Sequence, residues 1–227
     1  MRSVLFDTET TGLDPLTGDR VIEVAAIELL NDLPTRNTFH RLVHPQRDIP
    51  AEATRVHGIT LENLREAPRF EAIVDDLLAF FGDDPLVAHN APFDFGFLNA
   101  EFTRCGRPPL ARERMIDTLA LAKTRFPGMP NSLDALCRRF GIDLSERTTH
   151  NALLDCRLLA EVYVELTGGR QRALLPGDTG DEQAAMPAVQ YEAVGARTPR
   201  LIVPSEAELV VHAAFVARIK APIWTAE

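Results

Sequence analysis

Ser3-Val4-Leu5-Phe6-Asp7-Thr8-Glu9-Thr10-Thr11-Gly12 is the stretch on which the reading turns. Ser3–Thr8 is a short apolar run of strand length, so it reads as a buried strand. Asp7 and Glu9 stand two apart near its end, and side chains at i and i+2 of a strand emerge on one face. Two carboxylates on the core side of a strand are costly unless they bind cations. A lone pair of acids at a strand end commonly faces solvent, so this pair gains meaning only from partners elsewhere. Thr10-Thr11-Gly12 forms a turn whose small side chains let a ligand approach the backbone amides.

Outward from that strand, Asp14-Pro15 through Gly18-Asp19 is turn chemistry. Arg20–Leu30 and Thr35–Val43 read as two more strands separated by Asn31, Asp32 and Pro34, an antiparallel meander. Helical patterns follow around Leu61 and over Phe70–Phe81. Leu86–Ala88 and Met115–Asp117 are short strands, and Pro92 suits the first turn of a helix between them. Helices are expected over Leu119–Lys123, Ser132–Phe140 and about Asn151–Leu166, the last closed by Gly168-Gly169. Three strands followed by alternating helix and strand predict an α/β fold, one mixed sheet with helices packed on it.

Three further residues join the first acids. Asp94 follows the strand at Leu86–Ala88 in a first helical turn, where a lone acid is ordinarily explained by the helix macrodipole. Asp155 lies among Leu153, Leu154, Leu158 and Leu159, so it needs a partner. His150 precedes it by five residues, about 500° of helical rotation. That spacing puts His150 at or before the helix start and Asp155 inside. Four acids and a histidine on separate elements could hold two divalent metals about 4 Å apart, which activate water and stabilise a leaving oxygen in phosphodiester hydrolysis. Oxygen-rich ligation suits Mg²⁺ or Mn²⁺ rather than Zn²⁺. A histidine that titrates near neutrality can take the proton of the attacking water.

The bulk composition narrows the class. At 227 residues, the chain is long enough for one compact domain and an appendage. It is 45% hydrophobic and 25% charged, like an ordinary soluble protein. No apolar run nears the roughly 18 residues of a membrane helix, and no signal peptide precedes the first strand, so a cytoplasmic location is expected. Cys105, Cys137 and Cys156 show no paired metal spacing and read as reduced, mostly buried thiols. The net charge of −9, of which −8 falls in residues 1–167, argues against strong unaided binding to nucleic acid. Arg104, Arg107, Arg112, Arg114, Lys123 and Arg125 form a basic run, read as a solvated face.

After Gly169 the composition changes. Pro176–Thr198 is rich in Pro, Gly, Ala, Gln and acids and reads as a flexible linker, with an r.m.s. span of roughly 25–30 Å. Leu201-Ile202-Val203 looks like a strand. Ser205 and Glu208 form a capping box for a helix with Leu209, Ala213, Val216 and Ile219 on one side. Together with Trp224, this tail cannot bury itself, so it reads as a docking peptide for a partner, the alternative being that it folds back on residues 1–167.

Phe-Asp-Thr-Glu-Thr-Thr-Gly at 6–12, His-Asn-Ala-Pro-Phe-Asp at 89–94 and His-Asn-Ala-Leu-Leu-Asp at 150–155 resemble the three motifs of the DnaQ-like DEDDh 3′→5′ exonucleases. The resemblance covers about residues 3–169. It implies a ribonuclease H-like mixed five-stranded sheet with helices on both faces, and stepwise release of nucleoside monophosphates from a 3′ end. It further implies Asp7, Glu9 and Asp155 as metal ligands, Asp94 as support for the second of two ions, Mg²⁺ or Mn²⁺, and His150 as general base. Val56-His57-Gly58-Ile59 matches a family segment beside the terminal nucleotide. Thr10, Glu52, His57, Asn90 and Phe93, with Asp7, Glu9 and Asp155, are therefore expected substrate contacts. Asn-Ser-Leu-Asp-Ala-Leu-Cys at 131–137, Ala-Glu-Val-Tyr at 160–163, Thr-Gly-Gly at 167–169 and the tail resemble the proofreading (epsilon) branch serving bacterial DNA polymerase III. That likeness implies a nuclease domain at 1–169, a linker segment at 170–199, and a tail at 200–227 that engages the polymerase alpha subunit. Gln171-Arg172-Ala173-Leu174-Leu175 resembles a sliding-clamp pentapeptide, with Arg in place of the common Leu at its second position. A DNA 3′ end is the expected substrate. The motifs fit an RNA-trimming relative equally, whereas the tail separates the two. A non-catalytic polymerase-stabilising subunit would have no reason to keep the acids.

Overall fold

The computed structural model describes residues 1–145, 147, 149–168 and 203–219. Leu201 and Ile202 of the expected strand, the anchor Trp224, the clamp-like Gln171–Leu175 and the linker lie outside them, and Val203 is not in a strand. The chain divides into two compact units, Met1–Pro176 and Gly177–Glu227.

The first unit is built on β1, Arg2–Thr10. Its antiparallel neighbour is β2 (Val21–Leu30), followed by β3 (Leu33–Leu42). On the other side lie the parallel strands β4 (Leu86–Ala88) and β5 (Met115–Asp117), giving the order β3-β2-β1-β4-β5. Alternation along β1 sends its side chains into two cores. Val4 and Phe6 face α2 (Val74–Phe81) and α3 (Ala91–Arg104), where the Phe6 and Phe81 rings meet at 5.3 Å. Leu5 joins a second core with α4 (Thr118–Arg125), α5 (Leu133–Phe140) and α6 (Ala152–Leu166). The expected mixed five-stranded sheet with helices on both faces is what forms.

Some local expectations need correction. Around Leu61 there is no α-helix but one 3₁₀ turn, Glu62–Leu64, that buries Leu64. One turn satisfies the burial, and so short a segment gains little from propagating. The 70–81 pattern splits into a 3₁₀ turn at Phe70–Ala72 and then α2. The pattern also gave no notice of α1, Ala51–His57, which follows Pro50 without a side-chain cap and ends at Gly58 with φ +73°.

In the second unit, α7 (Glu206–Val216) starts with the expected capping box: Ser205 Oγ meets the Glu208 N–H at 3.4 Å, and Glu208 Oε2 accepts the Ser205 N–H at 2.8 Å. Leu209, Val210, Val211 and Phe215 are exposed on it.

Candidate active site

The site forms where β1 ends. A single register partner for each residue keeps Asp7 and Glu9 on the Leu5 face until the ladder shifts between Glu9 and Thr10. Such an irregularity bends a strand and ends its pairing. Just beyond, the chain turns tightly: a Cβ on Gly12 would lie 2.2 Å from Asp19 Oδ2, so only glycine lets the Asp19 carboxylate sit there. That carboxylate accepts from Thr11 Oγ1 at 3.2 Å and pairs with Arg47 at 2.9 Å.

Asp94 arrives from the other face. Because β4 runs parallel beside β1, the helix that follows β4 begins near the C-terminal end of β1, where open α/β sheets bind ligands. Thr8, pointing opposite to Asp7, fixes the Asp94 carboxylate: its N–H and Oγ1 donate to Oδ1 at 3.1 and 2.7 Å. Asn90, in the left-handed region at φ +66°, starts α3. Asp117 Oδ1 accepts the N–H groups of Asn90 (3.0 Å) and Ala91 (3.3 Å) and that of Leu119 (3.0 Å), so one carboxylate caps α3 and α4 together.

Asp155 lies in the first turn of α6, and His150 just outside it, before the N-cap Asn151. His150 Nδ1 is 3.3 Å from Asp155 Oδ2. Glu9, His150 and Asp155 each offer a ligand atom, and these atoms lie within 4.8 Å of one another. The sequence did not single out Arg147. Its Nε and Nη2 fork onto Asp155 Oδ1 and Oδ2 at 2.6 and 2.8 Å, it also pairs with Asp134, and its Nη2 lies 3.0 Å from His150 Nδ1. Nothing in the spacing of a loop arginine signals this; only the fold brings it over the carboxylates.

The charges are poorly compensated. Burial, then Asp94 and Glu9, push Asp7 well above the usual carboxylate range. Burial, then Glu23, raise Glu9 to about 8. Burial raises Asp94 to about 7 against the opposing Thr8 hydrogen bonds. Burial alone would raise Asp155 too, but Arg147 and His150 hold it below its ordinary value. Acids so crowded fit divalent cations: the donors are oxygen-rich, with one imidazole, and each would be relieved by positive charge.

A cleft of about 370 Å³ is lined by Asp7, Glu9, His89, Phe93, Asp134, Arg147, His150 and Asp155. A second hollow of about 400 Å³ shares Thr8, Glu9 and Phe93 with it and adds Thr10, Leu13, Glu52, Val56 and His57. Of the expected substrate contacts, Thr10, Glu52, His57 and Phe93 thus line hollows beside the acids. Asn90 lines neither and instead starts α3, while Asp94 lies buried beneath the first. Burial lowers the pKa of His57. Its Nδ1 accepts the Ile59 N–H at 3.0 Å, whereas its buried Nε2 has no partner among the described residues.

Four residues of the basic run brace the fold. Arg104 and Arg107 pair with Glu101 and Asp75, and Arg114 and Arg125 donate to backbone carbonyls. Cys137 and Cys156 are buried and all three cysteines are free. No described helix is long and apolar enough to cross a membrane.

The exonuclease family RNase_T matches residues 4–163. A DNA polymerase III subunit epsilon from Rickettsia felis is 45% identical over 96% of this chain and 97% of its own length. The subunit of that name from Escherichia coli K12 is 38% identical over 94% of this chain and 91% of its own. Among solved structures, exonuclease X in complex with 5′-overhanging duplex DNA has a TM-score of 0.56 at 27% identity, covering 72% of this chain and 90% of that one. The nuclease domain of 3′hExo, a DEDDh family member bound to rAMP, has a TM-score of 0.62 at 19% identity, covering 73% and 91%, a likeness of fold alone.

Proposed function

The chain belongs to the RNase_T exonuclease family, and from that premise we propose that it removes 3′-terminal nucleotides from DNA as the proofreading (epsilon) subunit of a bacterial DNA polymerase III. The observation that carries the reading is the convergence of Asp7, Glu9, Asp155 and His150 on one cleft, with Asp94 beneath it, in a chain similar along nearly its whole length to subunits of that name. DNA is favoured over RNA on the second of these grounds.

Asp7, Glu9 and Asp155, with Asp94 in support, would hold two divalent ions, Mg²⁺ or Mn²⁺. Such ions lower the pKa of a water and stabilise the charge on the leaving oxygen. His150 stands at the cleft, half exposed, to take the proton of that water. For Nε2 to act as the base, Nδ1 would carry the proton and donate it to Asp155 Oδ2, 3.3 Å away, which requires Arg147 Nη2, a donor now 3.0 Å from Nδ1, to turn away. Thr10, Glu52, His57 and Phe93 would receive the terminal nucleotide in the adjoining hollow. Residues 1–169 would form the nuclease, 170–199 a linker carrying the clamp-like segment Gln171–Leu175, and 200–227 a dock for the polymerase alpha subunit. The exposed apolar side chains of α7 favour that last assignment. The polymerase and clamp would then hold the DNA, which the acidic nuclease need not do alone, and a tether would keep it at high local concentration. A chain working on a bacterial replisome acts in the cytoplasm.

The test presents the chain and Mg²⁺ with 3′-mismatched DNA, matched DNA and RNA of equal length. Mismatched DNA should be degraded fastest, releasing nucleoside 5′-monophosphates, because an unpaired end needs no melting. Faster degradation of RNA would overturn the proofreading reading.

A further inference from the structure

Glu23 is a fully buried carboxylate on β2 that binds no metal in this scheme. It is the register partner of Glu9, and it opens onto the same core as Leu5 and α6. Neither arginine nor lysine pairs with it among the described ion pairs; its imidazole partner is His40 on β3, with Nε2 at 2.6 Å from Oε1. Its remaining contacts are all to the start of α6. Asn151 Nδ2 donates to Oε1 and the Ala152 N–H to Oε2, each at 3.3 Å. Asn151 thus works in two directions, since its Oδ1 also caps α6 by accepting the Leu154 N–H at 3.0 Å.

His150 sits directly before this pair. Its own N–H donates to Val56 O at 3.2 Å, so the backbone of His150 is held on one side by α1 and on the other by the residues bonded to Glu23. The imidazole itself is half exposed, and among the described residues Asp155 and Arg147 are the partners that orient it. A buried polar group is costly unless its hydrogen bonds are made, and among the described residues those of Glu23 run to His40 on β3 and to the two residues that follow His150.

We propose that Glu23, through Asn151 and Ala152 and with His40 behind it, is a positioning residue that fixes His150 over the cleft. The inference rests on His150 being the base of the exonuclease reaction. Glu23 touches neither substrate nor reacting atoms; it sets where the polypeptide delivers the imidazole, and a misplacement of about 1 Å in such a group can lower a rate by about 100-fold.

Single-turnover cleavage of a 3′-labelled DNA oligonucleotide by the full chain in Mg²⁺ separates the possibilities. Asn151→Ser keeps a side chain that can cap α6 but removes the side-chain bond to Glu23, leaving only that of the Ala152 N–H. It should lower the maximal rate about tenfold, leave the half-saturating DNA concentration within about twofold, and keep a wild-type thermal midpoint. Glu23→Gln should act in the same direction and more strongly, and if it fails to fold, Asn151→Ser alone decides. Maximal rates within twofold of wild type in a folded Asn151→Ser chain would overturn the inference. An inactive wild-type chain would instead overturn the exonuclease reading, so the two failures are distinct.

Discussion

Arg147 is the residue that changes how the site is understood. It forks onto Asp155 directly and, with His150, holds that acid below its ordinary pKa, while burial first of all raises Asp7, Glu9 and Asp94. Removing one partner of a buried ion pair leaves the other uncompensated. Arg147→Ala should therefore destabilise the chain in EDTA by about 3 kcal/mol, and Mg²⁺ should recover more stability than it adds to wild type; denaturant melts with and without metal measure both. The raised acids also set a pH dependence. Because the folded chain holds protons on Glu9 to about pH 8 and on Asp94 to about pH 7 that the unfolded chain releases near pH 4, stability without metal falls as pH rises through that window. Divalent metal displaces those protons, so the rise in thermal midpoint on adding Mg²⁺ should be larger at pH 8 than at pH 6. Equal rises would speak against the acids as the metal ligands.

At the scale of elements, the sequence was most legible where periodicity is strong. Apolar runs of strand length and the turn residues between them located β1 to β3, and Pro92 and Asn151 stood at the starts of the helices that carry Asp94 and Asp155. It was silent where structure depends on distant partners. Helix α1 has no side-chain cap at its start and only seven residues, and Glu23 reads as one more acid in a strand until the fold brings His40 and Ala152 against it. Asp117 is similar: a strand-end acid in sequence, it caps two helices in space. Asp117→Ala should cost about 2 kcal/mol, the sum of two lost caps, and should lower cleavage because Asp94 rides on the first of those helices. Asp117→Asn, which keeps an acceptor, should recover most of both in thermal melts and in the nuclease assay.

For the whole molecule, the acidic first unit and the helix of the second fit a division of labour between cutting and docking. A chain ending at Gly169 should cleave a 3′ end at a rate near that of the full chain yet fail to co-elute with a polymerase alpha subunit in gel filtration. Co-elution of the shortened chain would move the dock into the nuclease. The central claim is that carboxylates at the end of β1 do the chemistry through divalent metal. It is tested most directly by comparing the wild-type chain and Asp7→Ala on one 3′-mismatched DNA, in Mg²⁺ and in EDTA. The account predicts release of nucleoside monophosphates by wild type in Mg²⁺ only, and a rate at least about 100-fold lower for a folded Asp7→Ala chain. Cleavage by Asp7→Ala at a rate within a few-fold of wild type, or undiminished cleavage in EDTA, would contradict it.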